Sequence, residues 1–177
     1  MGADIAAAVA TTKERLAQGG ASARGADRPA TATIEGGLAC RVDGPDGWSV
    51  STDMPAAVGG NADAPSPGWL LLAAWAACTA TVIAMRAAEL GISLDEIEVV
   101  AESESDLRGL LGVDDDVAPG PLAARLRIRI DGAGADPAEL RELVDWADRH
   151  SVVADALRRA IPTTTELEEP RVEKPVA

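Results

Sequence analysis

Residues 65–85 read PSPGWLLLAAWAACTATVIAM, and this run constrains the fold more than any other part of the chain. A serine before a proline is a strong helix start, because Ser66 can cap the first turn and Pro67 needs no hydrogen-bond donor there. No charge interrupts residues 69–85, and the helix is expected to continue to about Leu90 and stop at Gly91. At 3.6 residues per turn, Leu71, Ala74, Trp75, Cys78, Val82 and Met85 share one side. The thiol of Cys78 therefore faces whatever that side covers. Such a cysteine is either inert packing or a protected reactive centre, and the question of function is largely a question about Cys78.

The same run must be tested as a membrane span. Its 17 uncharged residues lie at the lower edge of what a bilayer requires and are diluted by alanine and threonine. No basic residues flank it asymmetrically, so a buried core helix is expected and a membrane partner is not. The chain of 177 residues suits one domain. Its core must come from Ala, Leu, Val and Ile, since Phe and Tyr are absent and four tryptophans are the large pieces. Twenty-nine acidic residues against sixteen basic ones give a net charge of -13, which repels phosphate backbones and argues against a nucleic-acid partner. The start of the chain has no basic segment followed by an apolar run and a cleavage site, so a cytoplasmic protein is expected. A lone His150 and two distant cysteines, Cys40 and Cys78, supply no ligand cluster, so neither metal nor cofactor is expected.

Residues 3–18 suggest an amphipathic helix ending at Gly19, and residues up to 28 a linker, so that 1–28 stand apart from the main domain at 29–168. Period-two patterns then give a three-stranded meander. Ala32 and Ile34 lie on one strand, a turn follows at Gly36 and Gly37, and Leu38, Cys40 and Val42 line the second strand. A further turn from Gly44 to Gly47 leads to Trp48, Val50 and Thr52. After the long helix, Ile97, Val99 and Ala101 alternate with Glu98 and Glu102, and Leu126, Ile128 and Ile130 alternate with Arg125, Arg127 and Arg129. The arginine row is read as a cross-strand partner of the glutamate row and not as an anion site. The acidic residues Asp114 to Asp116 are read as a solvated loop, since they lack the spacing of a calcium loop. Asp136 and Pro137 open a second long helix with Leu140, Leu143, Val144 and Ala147 inward, a short turn begins at Ser151, and residues 163–168 suggest a last strand. Residues 169–177 read as a flexible tail. The expected class is α+β with the order β-β-β-α-β-β-α-β around a long central buried helix.

Four separated blocks, GGNADAPSP at 59–67, the helix reaching Cys78, DLRGLLG at 106–112 and RHSVVADAL at 149–157, resemble the osmotically inducible protein C (OsmC) and organic hydroperoxide resistance (Ohr) family. The resemblance covers roughly residues 29–168. It implies an intertwined homodimer in which the two long helices are wrapped by sheets of both chains. It further implies that Cys78 is the peroxidatic thiol, attacking organic hydroperoxides. The family's resolving cysteine corresponds to Ser151, its activating glutamate to Gly68 or Trp69, and its activating arginine to Leu38. The resemblance thus implies a divergent member in which an external thiol reductant restores Cys78 after one-cysteine chemistry. The alternative is a non-peroxidase dimer that holds a small hydrophobic molecule in its interfacial pocket.

Local residues offer substitutes for the missing parts. His150 precedes the resolving position and could pair with Cys78, although a cation that ends a helix is the preferred reading. Cys40 could resolve Cys78 from the meander, but more often such a residue is a small core group. Arg41 lies on the opposite face of its strand. Trp69 and Trp75 could line an apolar substrate pocket or fill a core poor in aromatics.

Overall fold

The computed structural model describes residues 2–19, 23–132 and 134–168. Helix α1 spans Gly2–Ala17 and strands β1, β2 and β3 span Thr31–Gly36, Ala39–Asp43 and Ser49–Thr52. Helix α2 follows at Pro67–Leu90, then β4 at Glu96–Glu104, the short α3 at Leu107–Leu110 and β5 at Ala123–Asp131. Helices α4 and α5 span Pro137–His150 and Val152–Arg158. Two antiparallel sheets result, β1-β2-β3 and β4-β5.

The limits of α2 follow from its end residues. The Ser66 side chain accepts from Trp69 N–H, and Gly91 ends the helix with φ 71°, a left-handed conformation that costs glycine nothing. The C-terminal half of α2 makes the core: Ile83 and Ala87 are buried with Leu143 and Ala147 of α4. Ile97 and Val99 of β4 and Ile128 and Ile130 of β5 close over them. The strand register explains the alternation read in the sequence, because Val99 pairs with Ile128 and Ile97 with Ile130 on the face toward α2. On the other face Arg125 and Arg127 bond Glu102 at 2.7 and 2.9 Å, and Arg129 reaches Glu96 and Glu98 at 3.2 and 3.3 Å. The arginine row is spent on cross-strand carboxylates, as expected.

Helix α1 lies against α2, where Lys13 forms an ion pair with Glu89. The loop from β3 to α2 is organised by Asp53, which is 2% exposed. Its carboxylate accepts from the backbone N–H groups of Met54, Asn61 and Asp63 at 2.7, 2.9 and 3.2 Å. Gly60 passes so close that a Cβ there would sit 1.8 Å from Met54 O.

One expectation needs correction. Residues 163–168 form no strand, and residues 161–168 carry no regular structure, with Leu167 98% exposed. A strand needs a partner edge to satisfy its backbone, and no strand among the described residues pairs with the segment. Within one chain the long helix leaves Trp69, Met85 and Leu90 55, 40 and 50% exposed. The tail expected at 169–177 lies outside the described residues.

Candidate functional site

Cys78 sits near the middle of α2, one residue before the fully buried Thr79. The turn between α4 and α5 is laid against this point. Ser151 belongs to both helices at once, ending α4 with its N–H on Ala147 O at 2.8 Å and capping α5 with its side chain. A serine suits that position because its hydroxyl can accept the otherwise unpaired N–H of Ala154, here at 3.3 Å. The cap also turns Ser151 Oγ toward α2, where it donates to Cys78 Sγ at 3.3 Å. The residue expected at the resolving position therefore does lie beside Cys78, 73 positions away in sequence.

The electrostatics of the thiol follow from these neighbours. Partial burial is the largest single influence on Cys78 and pushes its pKa up. The Ser151 hydroxyl and the backbone N–H groups of Val153 and Val152 act the other way, and together they hold the thiol below its ordinary value. Val152 and Val153 open α5, where the first N–H groups have no partner within the helix and the helix dipole favours negative charge. Burial of a thiol without a cationic neighbour opposes its ionisation. Here neutral donors outweigh burial. The arrangement can hold a thiolate, which is the nucleophilic form of cysteine.

The other proposed residues are placed differently. His150 adjoins Ser151, yet its Nδ1 lies 2.7 Å from Trp146 O and its ring stacks on Trp146. Cys40 is half-buried in β2, with Sγ 3.8 Å from Arg41 O, and Arg41 itself is bonded to Asp43 at 2.8 Å. Leu38 is 40% exposed in the turn before β2. Trp69 and Trp75 are separated: Trp69 is mostly exposed, whereas Trp75 is 8% exposed and lines a cavity of about 740 Å³. Leu71, Leu72, Leu122, Leu126 and Leu157 give that cavity an apolar wall. Ala154, whose N–H bonds Ser151, also lines it, so the cavity adjoins the thiol's hydrogen-bond partner. Trp75 Nε1 is buried with no hydrogen-bond partner among the described residues.

Sequence reasoning missed Thr79, whose Oγ1 lies 3.5 Å from Ser151 Oγ. The available signal was a hydroxyl inside an apolar helix directly after the cysteine. It also missed Asp53, which reads as an ordinary loop carboxylate until the loop closes around it.

The comparisons with known proteins agree with this geometry. No curated protein matches the sequence significantly. Among solved structures, the chain is similar to an OsmC-like protein from Mycoplasma pneumoniae, with 15% identity, a TM-score of 0.65 and coverage of 76% of this chain and 89% of that one. It is similar to an organic hydroperoxide resistance protein OsmC from Legionella pneumophila, with 24% identity, a TM-score of 0.56 and coverage of 75 and 90%. The organic hydroperoxide resistance protein OhrB of Bacillus subtilis is 26% identical with a TM-score of 0.51, over 75% of this chain and 91% of that one. The OsmC-like protein family matches residues 60–166, a stretch that contains α2, both sheet strands behind it and the Cys78–Ser151 contact. This match spans more than half of the chain, and the chain belongs to the OsmC-like protein family.

Proposed function

We propose that the protein is a thiol-dependent reductant of organic hydroperoxides that works through Cys78 alone. The observation that carries this reading is the Ser151 Oγ to Cys78 Sγ hydrogen bond, with the Val152 and Val153 amides beside it, because together they favour the thiolate. In the first step the Cys78 thiolate attacks one oxygen of R–OOH. The O–O bond breaks, the alkoxide leaves and takes a proton to become R–OH, and Cys78 becomes a sulfenic acid. No thiol stands at position 151 to close a disulfide. An external thiol R′–SH condenses with the sulfenic acid, releasing water and leaving Cys78–S–S–R′. A second R′–SH then frees the Cys78 thiol and departs as R′–S–S–R′. The organic hydroperoxide resistance proteins among the structural relatives support the substrate class.

Mass spectrometry after one equivalent of cumene hydroperoxide tests the proposal. The expected product carries one oxygen on Cys78, trapped by dimedone and lost in Cys78→Ser. Absence of any adduct on Cys78 would overturn it.

A second reading is favoured by the leucine-walled cavity beside Trp75, which suits an apolar molecule without any reaction at sulfur. Binding of such a molecule that is unchanged in Cys78→Ser, without peroxide chemistry, would decide for it.

Either reading is proposed for a homodimer. Only 17% of the most apolar window of α2 is buried within one chain. Ile34, Trp48 and Val50 of the meander are 61, 70 and 42% exposed. Apolar surface of this extent is normally covered by another subunit. Sedimentation at micromolar concentration is expected to give a dimer, and a stable folded monomer would refute the assembly.

A further inference from the structure

A buried hydroxyl must find a hydrogen-bond partner, and a threonine inside a helix usually finds it in the carbonyl four residues earlier. Thr11 of α1 does so, donating to Ala7 O at 2.9 Å. Thr79 is fully buried in α2 and donates instead across the helix interface to Ser151 Oγ at 3.5 Å. The bond matters through what it leaves for Ser151. A serine hydroxyl has one proton and two acceptor lone pairs. Ala154 N–H fills one lone pair at 3.3 Å and Thr79 Oγ1–H fills the second. The single proton of Ser151 is then left for Cys78 Sγ, 3.3 Å away.

We infer that Thr79 is a positioning residue for Cys78: by occupying the second lone pair of Ser151 Oγ, it fixes the rotation of that hydroxyl so that its proton points at the sulfur. Thr79 acts on the sulfur through Ser151. Thr79 and Ser151 are 0 and 1% exposed, so neither hydroxyl can exchange this arrangement for water. Without Thr79 the Ser151 hydroxyl is free to donate elsewhere, or to accept from the thiol, an orientation that holds the proton on sulfur. A serine that stands where the family places a resolving thiol is thereby turned into a directed donor, and the residue next to the cysteine is what directs it.

The inference rests on Cys78 being the reacting thiol, but its test needs no peroxide. The pH dependence of Cys78 alkylation by iodoacetamide, in full-length protein carrying Cys40→Ser, gives the midpoint of thiolate formation. Thr79→Val keeps the volume and removes the hydroxyl. It is expected to raise the midpoint and to slow alkylation at neutral pH by roughly threefold to tenfold, the scale of one ordinary hydrogen bond. Thr79→Ser restores a hydroxyl and is expected to restore the midpoint, which a purely packing role would not. In a Ser151→Ala background, Thr79→Val is expected to add nothing further. Thr79→Ala serves in place of Thr79→Val if the latter does not fold, with the same expected direction. An unchanged midpoint in the folded variant, or an equal shift with and without Ser151, would overturn the positioning role. A shifted midpoint in a protein inert to cumene hydroperoxide would retain that role and discard the peroxidase reading.

Discussion

His150 lies flat on Trp146, with ring centroids 3.9 Å apart and planes 10° from parallel. Arg86 of α2 also stands over the Trp146 ring, 4.9 Å from its centroid. The imidazole is thus held by a stack and by a 2.7 Å contact with Trp146 O, and the group that sequence reasoning could offer as a partner of Cys78 is committed to its own helix.

It follows that His150→Gln should leave the pH dependence of Cys78 alkylation unchanged, while removing the stack and lowering stability by about 0.5–1.5 kcal/mol. Alkylation rates across pH and a urea titration check both halves. A displaced alkylation midpoint would return His150 to the site.

Ser151→Ala should have the opposite profile. The hydroxyl favours the charged sulfur, so its loss lets burial dominate and raises the pKa of Cys78. Below the new midpoint less thiolate is present, and the second-order rate with cumene hydroperoxide at neutral pH should fall by about tenfold. Well above it the wild-type and variant rates should converge. Stopped-flow rates across pH distinguish this from a general loss of structure, which would depress both limbs.

Ser151→Cys should allow an internal disulfide with Cys78 after oxidation, since the Oγ and Sγ atoms are already 3.3 Å apart. Because a thiol donates more weakly than a hydroxyl, the first oxidation should not accelerate. Intact mass under non-reducing conditions checks for the bridge, and the rate of peroxide consumption checks the first step.

The loop before α2 should be sensitive to acid. Hydrogen bonds from Met54, and secondarily from Asp63 and Asn61, hold the Asp53 carboxyl below its ordinary value of 3.8 against the effect of burial. A depressed carboxyl pKa means that its stabilisation is complete above the ordinary value and is lost as pH falls through the folded one. Asp53→Ala should lower the melting temperature at pH 7 by roughly 5–10 °C and should flatten the decline in stability at the acid end. Differential scanning calorimetry between neutral pH and pH 3 reads both effects.

Gly60→Ala should perturb the same loop for a steric reason. The added Cβ would meet Met54 O at 1.8 Å, its carbonyl carbon at 2.4 Å and Asp53 Oδ1 at 2.9 Å. Two of these are backbone atoms that cannot rotate aside, so the loop must shift, at a cost of about 2 kcal/mol or more. Urea denaturation gives the value, and a change under 0.5 kcal/mol would show that the loop yields.

Local chemistry made much of this fold legible. Ser66, Pro67 and Gly91 mark both ends of α2, Asp136 and Pro137 the start of α4, and the alternation around Val99 and Ile128 the paired strands. These signals arise from one turn of helix or one pleat of sheet, so a single segment carries them. Residues 163–168 follow Pro162 with three threonines and suggest a strand, but pairing depends on an edge elsewhere, and the segment stays without regular structure. At the site, the meeting of Cys78 with position 151 followed from family resemblance and from nothing periodic. The role of Thr79 depends on the orientation of a hydroxyl across two helices, which no pattern along one helix encodes.

The four tryptophans of a chain without tyrosine or phenylalanine have an optical consequence. Ultraviolet emission comes from Trp48, Trp69, Trp75 and Trp146 alone, and their surroundings differ. Trp75 is enclosed, Trp146 is flanked by a guanidinium and an imidazole, and Trp48 and Trp69 face water. Any partner surface that closes over the meander or the start of α2 will dry the last two rings and move the emission to shorter wavelength. Oxidation confined to the sulfur of Cys78 leaves them wet, so colour reports association and chemistry separately in one cuvette.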